Sequence, residues 1–338
     1  MAQYKDFIPE NVAPIGVKKI GVYNQKGRRL FGIMLDNLAL PAKRGAKQYS
    51  FGALADVHVQ YDTAQADFQT ALKYLNETED VEFTCICGDL TVNGTDAELT
   101  QYKSYVDSYS PDTPVYAVFG NHDIYQGLYN NTQKYTGQPL YYTFTQGEDV
   151  FIMVGIIAGY YGTDTPSMFA QGTLQWLQEQ LEANRNKRCF LFEHILSANG
   201  CGDALNVYPH TKLSGNDARV FESLLSHYKN AIWLHGHSHF KFYLQYANDM
   251  ANIDKVLGTW SIHIPSLAVP RDVAGSSYST IYAESEGYVV DVYENGIHLR
   301  GRDFVKGEFL PIASYWLDTT LQTVAAGTYT DSTGTITK

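Results

Sequence analysis

Five short polar clusters in this chain carry side chains able to do chemistry. They are "ADVH" (Asp56, His58), "CGDLTVNG" (Asp89, Asn93), "GNHD" (Asn121, His122, Asp123), "FEH" (His194) and "HGHSH" (His237, His239). Each follows an apolar run of strand length. Taken singly, each is an ordinary polar turn. Taken in order they are periodic: Asp89 lies 31 positions after His58 (89 − 58) and Asn121 lies 32 after Asp89 (121 − 89), each about one strand–helix–strand step. Together they bring carboxylate, imidazole and amide donors to one place. That donor set suits Mn²⁺, Fe or Zn²⁺, whereas an all-thiolate set would indicate structural zinc. A metal site is expected.

The elements that must position these residues follow from periodicity. Apolar spacing at Phe68, Leu72 and Leu75 predicts a helix over 63–77, and further helices are expected at 96–109, 172–184 and near 215–227. Strands are expected at "YSFGALAD", "VEFTCICGD", "PVYAVFGNHD", "RCFLFEH" and "NAIWLHGHSH". Strand alternating with helix implies parallel strands joined by right-handed crossovers. The carboxyl ends of such strands form the ligand crevice, which is where the polar clusters fall. Segments 140–146 and 150–159 suggest an antiparallel pair. "KFYLQYA", "TWSIHIPSL" and "EGYVVDVYENGIHLRGRDF" are expected as later strands, the last turning at "ENG". Residues 17–35 suggest a separate hairpin.

The ordered set D-x-H, G-D-x-x-(D/N), G-N-H-(D/E), a lone His and G-H-x-H resembles that of the calcineurin-like metallophosphoesterases, over residues 56–239. The resemblance implies an α/β fold, a four-layer α/β/β/α sandwich of two mixed β-sheets flanked by helices. It also implies two metal ions (Mn, Fe or Zn), one held by Asp56, His58, Asp89 and His239, the other by Asp89 as a bridge, Asn121, His194 and His237. A metal-bridging hydroxide would then attack phosphorus in line, and Gly120 would let the backbone approach the ions. His122, assigned no metal in the family pattern, would donate a proton to the leaving oxygen, with Asp123 orienting its imidazole. The implied activity is dinuclear-metal-dependent phosphoester hydrolysis, in the branch that holds phosphodiesterases. The alternatives are a non-catalytic metal-binding scaffold, or a catalytic module docked to a larger assembly by its terminal segments. The expected organisation is a β-hairpin extension at 1–45, a catalytic domain at 46–305 and a C-terminal extension with a polar tail at 306–338.

Departures from relatives narrow the substrate. Protein Ser/Thr phosphatases of the superfamily carry arginines in G-D-x-x-D-R-G and R-G-N-H-E, and "GDLTVNG" and "FGNHD" lack them. Purple acid phosphatases place an iron-binding Tyr three positions after the Asp of G-D, where this chain has Val92. A small phosphoester is therefore the expected substrate. The net charge of −11, with no run of Lys and Arg, disfavours non-specific nucleic-acid binding. No stretch approaches the length of a membrane span, and no secretory signal is visible, so no membrane partner and a cytoplasmic location are expected. Cys85 and Cys87 alternate along one strand and should share a face as buried apolar residues. Among the other histidines, His235 is expected to be structural, His210 and His227 exposed, and His298 a strand residue. The resemblance brings the segment carrying His263 back toward the metals. Arg271 in it is expected to form a surface ion pair, with a substrate phosphate as the alternative.

Overall fold

The computed structural model describes residues 44–61, 63–158, 167–197, 201–202, 212–243, 258–274 and 283–319, with the strands Lys19–Tyr23, Arg29–Met34, Ile253–Asp254 and Ser277–Thr280. The first two strands, β1 (Lys19–Tyr23) and β2 (Arg29–Met34), form the antiparallel pair expected at 17–35. The first large sheet begins with β3 (Lys47–Leu54), crosses through α1 (Ala64–Glu77) to β4 (Phe83–Cys87), and through α2 (Asp96–Tyr109) to β5 (Val115–Val118). These three strands are parallel. Short α3 (Thr132–Thr136) then leads to the antiparallel pair β6 (Tyr141–Gln146) and β7 (Asp149–Val154) of the second sheet. That sheet continues in parallel through α4 (Thr173–Ala183) to β8 (Cys189–Glu193) and through α5 (Gly215–His227) to β9 (Ala231–His235). It gains antiparallel β10 (Ile253–Asp254) on β11 (Trp260–His263), which runs parallel to β9. After the small pair β12 (Arg271–Ala274) and β13 (Ser277–Thr280), the chain returns to the first sheet with β14 (Glu286–Tyr293), β15 (Gly296–Asp303) and β16 (Glu308–Asp318). The sheet orders are β16-β15-β14-β3-β4-β5 and β10-β11-β9-β8-β7-β6, both mixed.

Alternation along the strands explains the layers. Phe51, Ala53, Cys85, Cys87, Phe151, Met153, Phe190, Phe192, Ile232 and Leu234 form one buried cluster between the sheets. Their neighbours Leu54, Ile86, Val150, Ile152, Val154, Leu191 and Trp233 point to the opposite faces, into the cluster that includes the helices. Both faces of each central strand are therefore covered, which is why these strands are apolar runs with no polar alternation. On the outer faces, Gly52 lies so close to Leu75 of α1 that a Cβ would come within 2.7 Å of it, and Phe221 of α5 packs edge-on against Trp233 of β9 at 5.2 Å. Helix α2 starts sharply because Thr95 and Glu98 form a reciprocal capping box.

A buried network ties the two sheets together at the amino-terminal ends of β7 and β8. Arg188 donates to Asp149 from Nε at 3.0 Å and Nη2 at 2.5 Å, and from Nη1 to the Tyr293 carbonyl at 2.9 Å. The Tyr49 hydroxyl on β3 donates to the same Asp149 carboxylate at 2.6 Å.

Two expectations change. Strand β16 pairs with β15 along the edge of the first sheet, so the boundary expected at 305/306 falls in a β-hairpin turn inside the sheet. The strand expected from Lys241 is a turn over 241–243, the remainder lying outside the described residues.

Candidate metal centre

The carboxyl ends of β3, β4, β5, β8 and β9 meet at one edge of the sandwich. The Asp56 amide donates to the Gly88 carbonyl at 3.0 Å and the His58 amide to the Asp89 carbonyl at 3.0 Å, so the first two loops extend the β3–β4 pairing past the strands. The His122 amide donates to Asp89 Oδ1 at 2.9 Å, and the His237 amide donates to Asp56 Oδ2 at 3.0 Å. Glycines permit this crowding. A Cβ on Gly120 would lie 2.3 Å from Asp89 Oδ1, and one on Gly236 would lie 2.5 Å from Asp56 Oδ2.

Backbone strain concentrates here. Asp56, His58, Asp89, His237 and His239 all have positive φ, from 40° to 75°, and among described non-glycine residues only Asp80 shares that conformation. A left-handed backbone costs roughly 1–2 kcal/mol at each such residue. It persists where surrounding hydrogen bonds over-determine it, as the loop contacts above do.

Two donor groups result. Asp56, His58, Asp89 and His239 place one ligand atom each within 4.8 Å of one another, and so do Asp89, His194 and His237. Asp89 belongs to both. Its Oδ2 lies 3.2 Å from His194 Nε2 and 3.7 Å from His58 Nε2. The rings are aimed by backbone carbonyls: His58 Nδ1 meets the Thr91 carbonyl at 2.9 Å and His194 Nδ1 meets that of Cys87 at 2.7 Å. Each leaves Nε2 with a lone pair for the cluster. Asn121 follows Gly120, whose Cα packs against Asp89 and His194.

The donor set fits two metal ions. Asn121 Oδ1 is buried without a hydrogen-bond partner, and Asp89 Oδ2 and His194 Nε2 have none beyond each other at 3.2 Å, an expensive arrangement unless a cation satisfies them. Electrostatics agree. Burial pushes His58 down to about 3, and burial followed by the charge of Arg271 takes His239 well below the usual range, so both are neutral ligands. Burial would also lower His194, yet the Asp89 and Asp56 carboxylates outweigh it and raise the group to about 10. The two acids demand positive charge.

His122 is at the rim. Its side chain is 25% exposed, with Nε2 4.0 Å from Asp89 Oδ2. Its Nδ1 donates to the Val92 carbonyl at 2.6 Å, and its ring meets His58 edge-on at 4.7 Å. Asp123 does not orient it. The Asp123 carboxylate accepts from Leu90 N at 3.1 Å, Thr91 N at 2.9 Å, Thr91 Oγ1 at 2.9 Å and Gly120 N at 2.9 Å. It clasps the Gly-Asp loop to the Gly-Asn-His-Asp loop. The expectation that Asp123 holds the imidazole is corrected: Val92 supplies that contact through its backbone, which no side-chain pattern reveals.

Other residues sort as follows. Asn93, counted among the strand-end polar residues, is exposed and donates to Glu98 at 2.9 Å, away from the cluster. His235 is buried against Trp233 and Ser261 Oγ, a structural position. His263 does return toward the site, meeting Ser238 Oγ, between His237 and His239 of the last motif, at 2.8 Å. His227 is exposed and His298 bonds Ser314 within β15 and β16. Arg271 is nearer the site than expected, its amide donating to the His239 carbonyl at 2.8 Å. His210 lies outside the described residues. Tyr125 was missed: its hydroxyl accepts from Asn121 Nδ2 at 3.3 Å and its ring is 4.9 Å from that of His122. Its position four residues after Asn121 was the available signal.

The chain belongs to the calcineurin-like phosphoesterases, whose family model matches residues 49–241. No curated protein matches it. Among solved structures, a purple acid phosphatase from yellow lupin (Lupinus luteus) seeds is similar with a TM-score of 0.55 at 13% identity, over 84% of this chain and 58% of that one. This chain thus spans little more than half the length of the lupin protein. GAP50, the anchor in the inner membrane complex of Plasmodium, is similar with a TM-score of 0.53 at 15% identity, over 83% of this chain and 91% of that one. At these identities the likeness is one of fold.

Proposed function

We propose that this phosphoesterase is a dinuclear-metal-dependent hydrolase of small phosphoesters, with diesters as the preferred class. The observation that carries the reading is the pair of buried donor groups sharing Asp89. Asp56, His58, Asp89 and His239 would hold one ion, and Asp89, Asn121, His194 and His237 the other. Mn²⁺, Fe and Zn²⁺ all suit these donors. Bound metal would supply Lewis-acid activation of water and neutralise charge at the phosphoryl group.

The chain's own part is positioning and proton transfer. Leaving oxygens need a proton as their bond to phosphorus breaks, and a positioned imidazole can supply it. His122 is the group placed to do so: it faces the cluster, is partly open to solvent, and has its ring orientation set by the Val92 carbonyl. Donation from Nδ1 leaves Nε2 to carry the proton that moves. The absence of arginine from both central motifs supports a substrate other than a phosphoprotein.

The test is hydrolysis of bis-p-nitrophenyl phosphate and p-nitrophenyl phosphate by apo-protein supplied with Mn²⁺, Zn²⁺ or Fe²⁺. Metal-dependent turnover with a diester preference is expected. His122→Ala should retain metal and lose about 10²–10⁴-fold in turnover on esters with poor leaving groups. Equal rates for His122→Ala and wild type on such esters would remove the acid role.

A further inference from the structure

Three rings form a row leading out of the metal centre. His58 is fully buried, His122 lies 4.7 Å beyond it with its side chain 25% exposed, and Tyr125 lies a further 4.9 Å out at 41% exposure. Tyr125 is one of the few large apolar side chains exposed among the described residues. It is also pinned. Its hydroxyl accepts from Asn121 Nδ2, and its backbone amide approaches the His122 carbonyl in a tight turn. A ring held by the residues of the site, with part of its surface open beside the acid, is built to meet whatever His122 protonates.

Resting on the hydrolase reading, we infer that Tyr125 is a specificity-determining residue, a platform for a planar aromatic leaving group. The hydroxyl keeps the ring in register with Asn121, and the ring offers its surface to a second aromatic system in offset or edge contact. Aryl phosphoesters and esters of base-bearing alcohols would be favoured over small alkyl esters. The contact is made by substrate outside the metal ligands, so the ratio between two ligands, rather than metal affinity, reports it.

The test uses phenylphosphonate and methylphosphonate, which carry no ester bond to cleave, titrated calorimetrically into the manganese-loaded protein. Wild type should bind phenylphosphonate more tightly by about three- to tenfold, the range for one aromatic pair. At saturating manganese, Tyr125→Phe, which keeps the ring and loses the Asn121 contact, should keep most of that ratio, and Tyr125→Ala should bring it close to one. A ratio in Tyr125→Ala equal to that of wild type overturns the platform alone. A wild type that binds manganese but neither phosphonate overturns the platform and the hydrolase reading together.

Discussion

Replacing Asp123 by Asn changes almost no volume, and it separates the two roles open to this residue. The carboxylate accepts from four donors, two on each oxygen: Thr91 N and Oγ1 on Oδ1, Leu90 N and Gly120 N on Oδ2. An amide has one accepting oxygen. With that oxygen toward Thr91, the amide NH₂ faces the backbone amides of Leu90 and Gly120, and both lose their partner. At about 1–3 kcal/mol for each buried unsatisfied group, the variant should be roughly 2–6 kcal/mol less stable. Because Leu90 and Gly120 flank Asp89 and Asn121, metal affinity should fall with stability. Urea unfolding and calorimetric metal titration measure both. Turnover of the metal-saturated variant on esters with poor leaving groups should be retained, since the His122 ring is held by Val92. A variant of unchanged stability that loses that turnover would refute this and restore an imidazole-orienting role.

Three further outcomes are expected. Arg188→Met leaves the buried Asp149 carboxylate without its cation, so it should cost about 3–5 kcal/mol in urea unfolding while turnover of the folded protein is unchanged; a loss below about 1 kcal/mol would show that the network between the sheets contributes little. Gly120→Ala alters no ligand, yet its Cβ would meet Asp89 Oδ1 at 2.3 Å and Asp89 N at 2.4 Å, so metal binding should be lost; wild-type metal content would contradict that geometry. Burial pushes Glu286 up to about 8, so in the fold it holds a proton that the unfolded chain releases near its ordinary 4.5. Its contribution is therefore fully present below pH 4.5 and lost as pH rises toward 8, at up to about 1.4 kcal/mol per pH unit. Glu286→Gln should flatten that slope, and an unchanged slope in thermal unfolding would contradict the assignment.

Much of the site was legible in the sequence because its ligands sit where parallel strands end, and strand–helix periodicity is a local signal. Strand ends direct Asp56, His58, Asp89, His194, His237 and His239 to one crevice, and their division between two metals comes from the family pattern. What was illegible is non-local or carried by backbone. Val92 holds His122 through a carbonyl, so its side chain gives no hint. Asp123 looks like a catalytic partner because it is adjacent to His122, yet the chain turn sends its carboxylate to residues some 32 positions earlier. Asn93 follows the Gly-Asp motif but is captured by Glu98 of the α2 capping region. Strand β16 continues the first sheet by pairing with β15, a contact that the polar tail closing the sequence gives no reason to expect. The left-handed backbone at Asp56, His58, Asp89, His237 and His239 has no residue signature, because neither Asp nor His is the glycine that this conformation favours.

The most direct measurement is the number of metal ions bound per chain, by elemental analysis and Mn²⁺ titration of the apo-protein, for wild type and Asp89→Asn. Two ions in wild type, with both affinities weakened in Asp89→Asn, is the result expected from a carboxylate shared by two donor groups. A wild type that binds one ion or none, or an Asp89→Asn variant that loses only one of two, would contradict the shared centre.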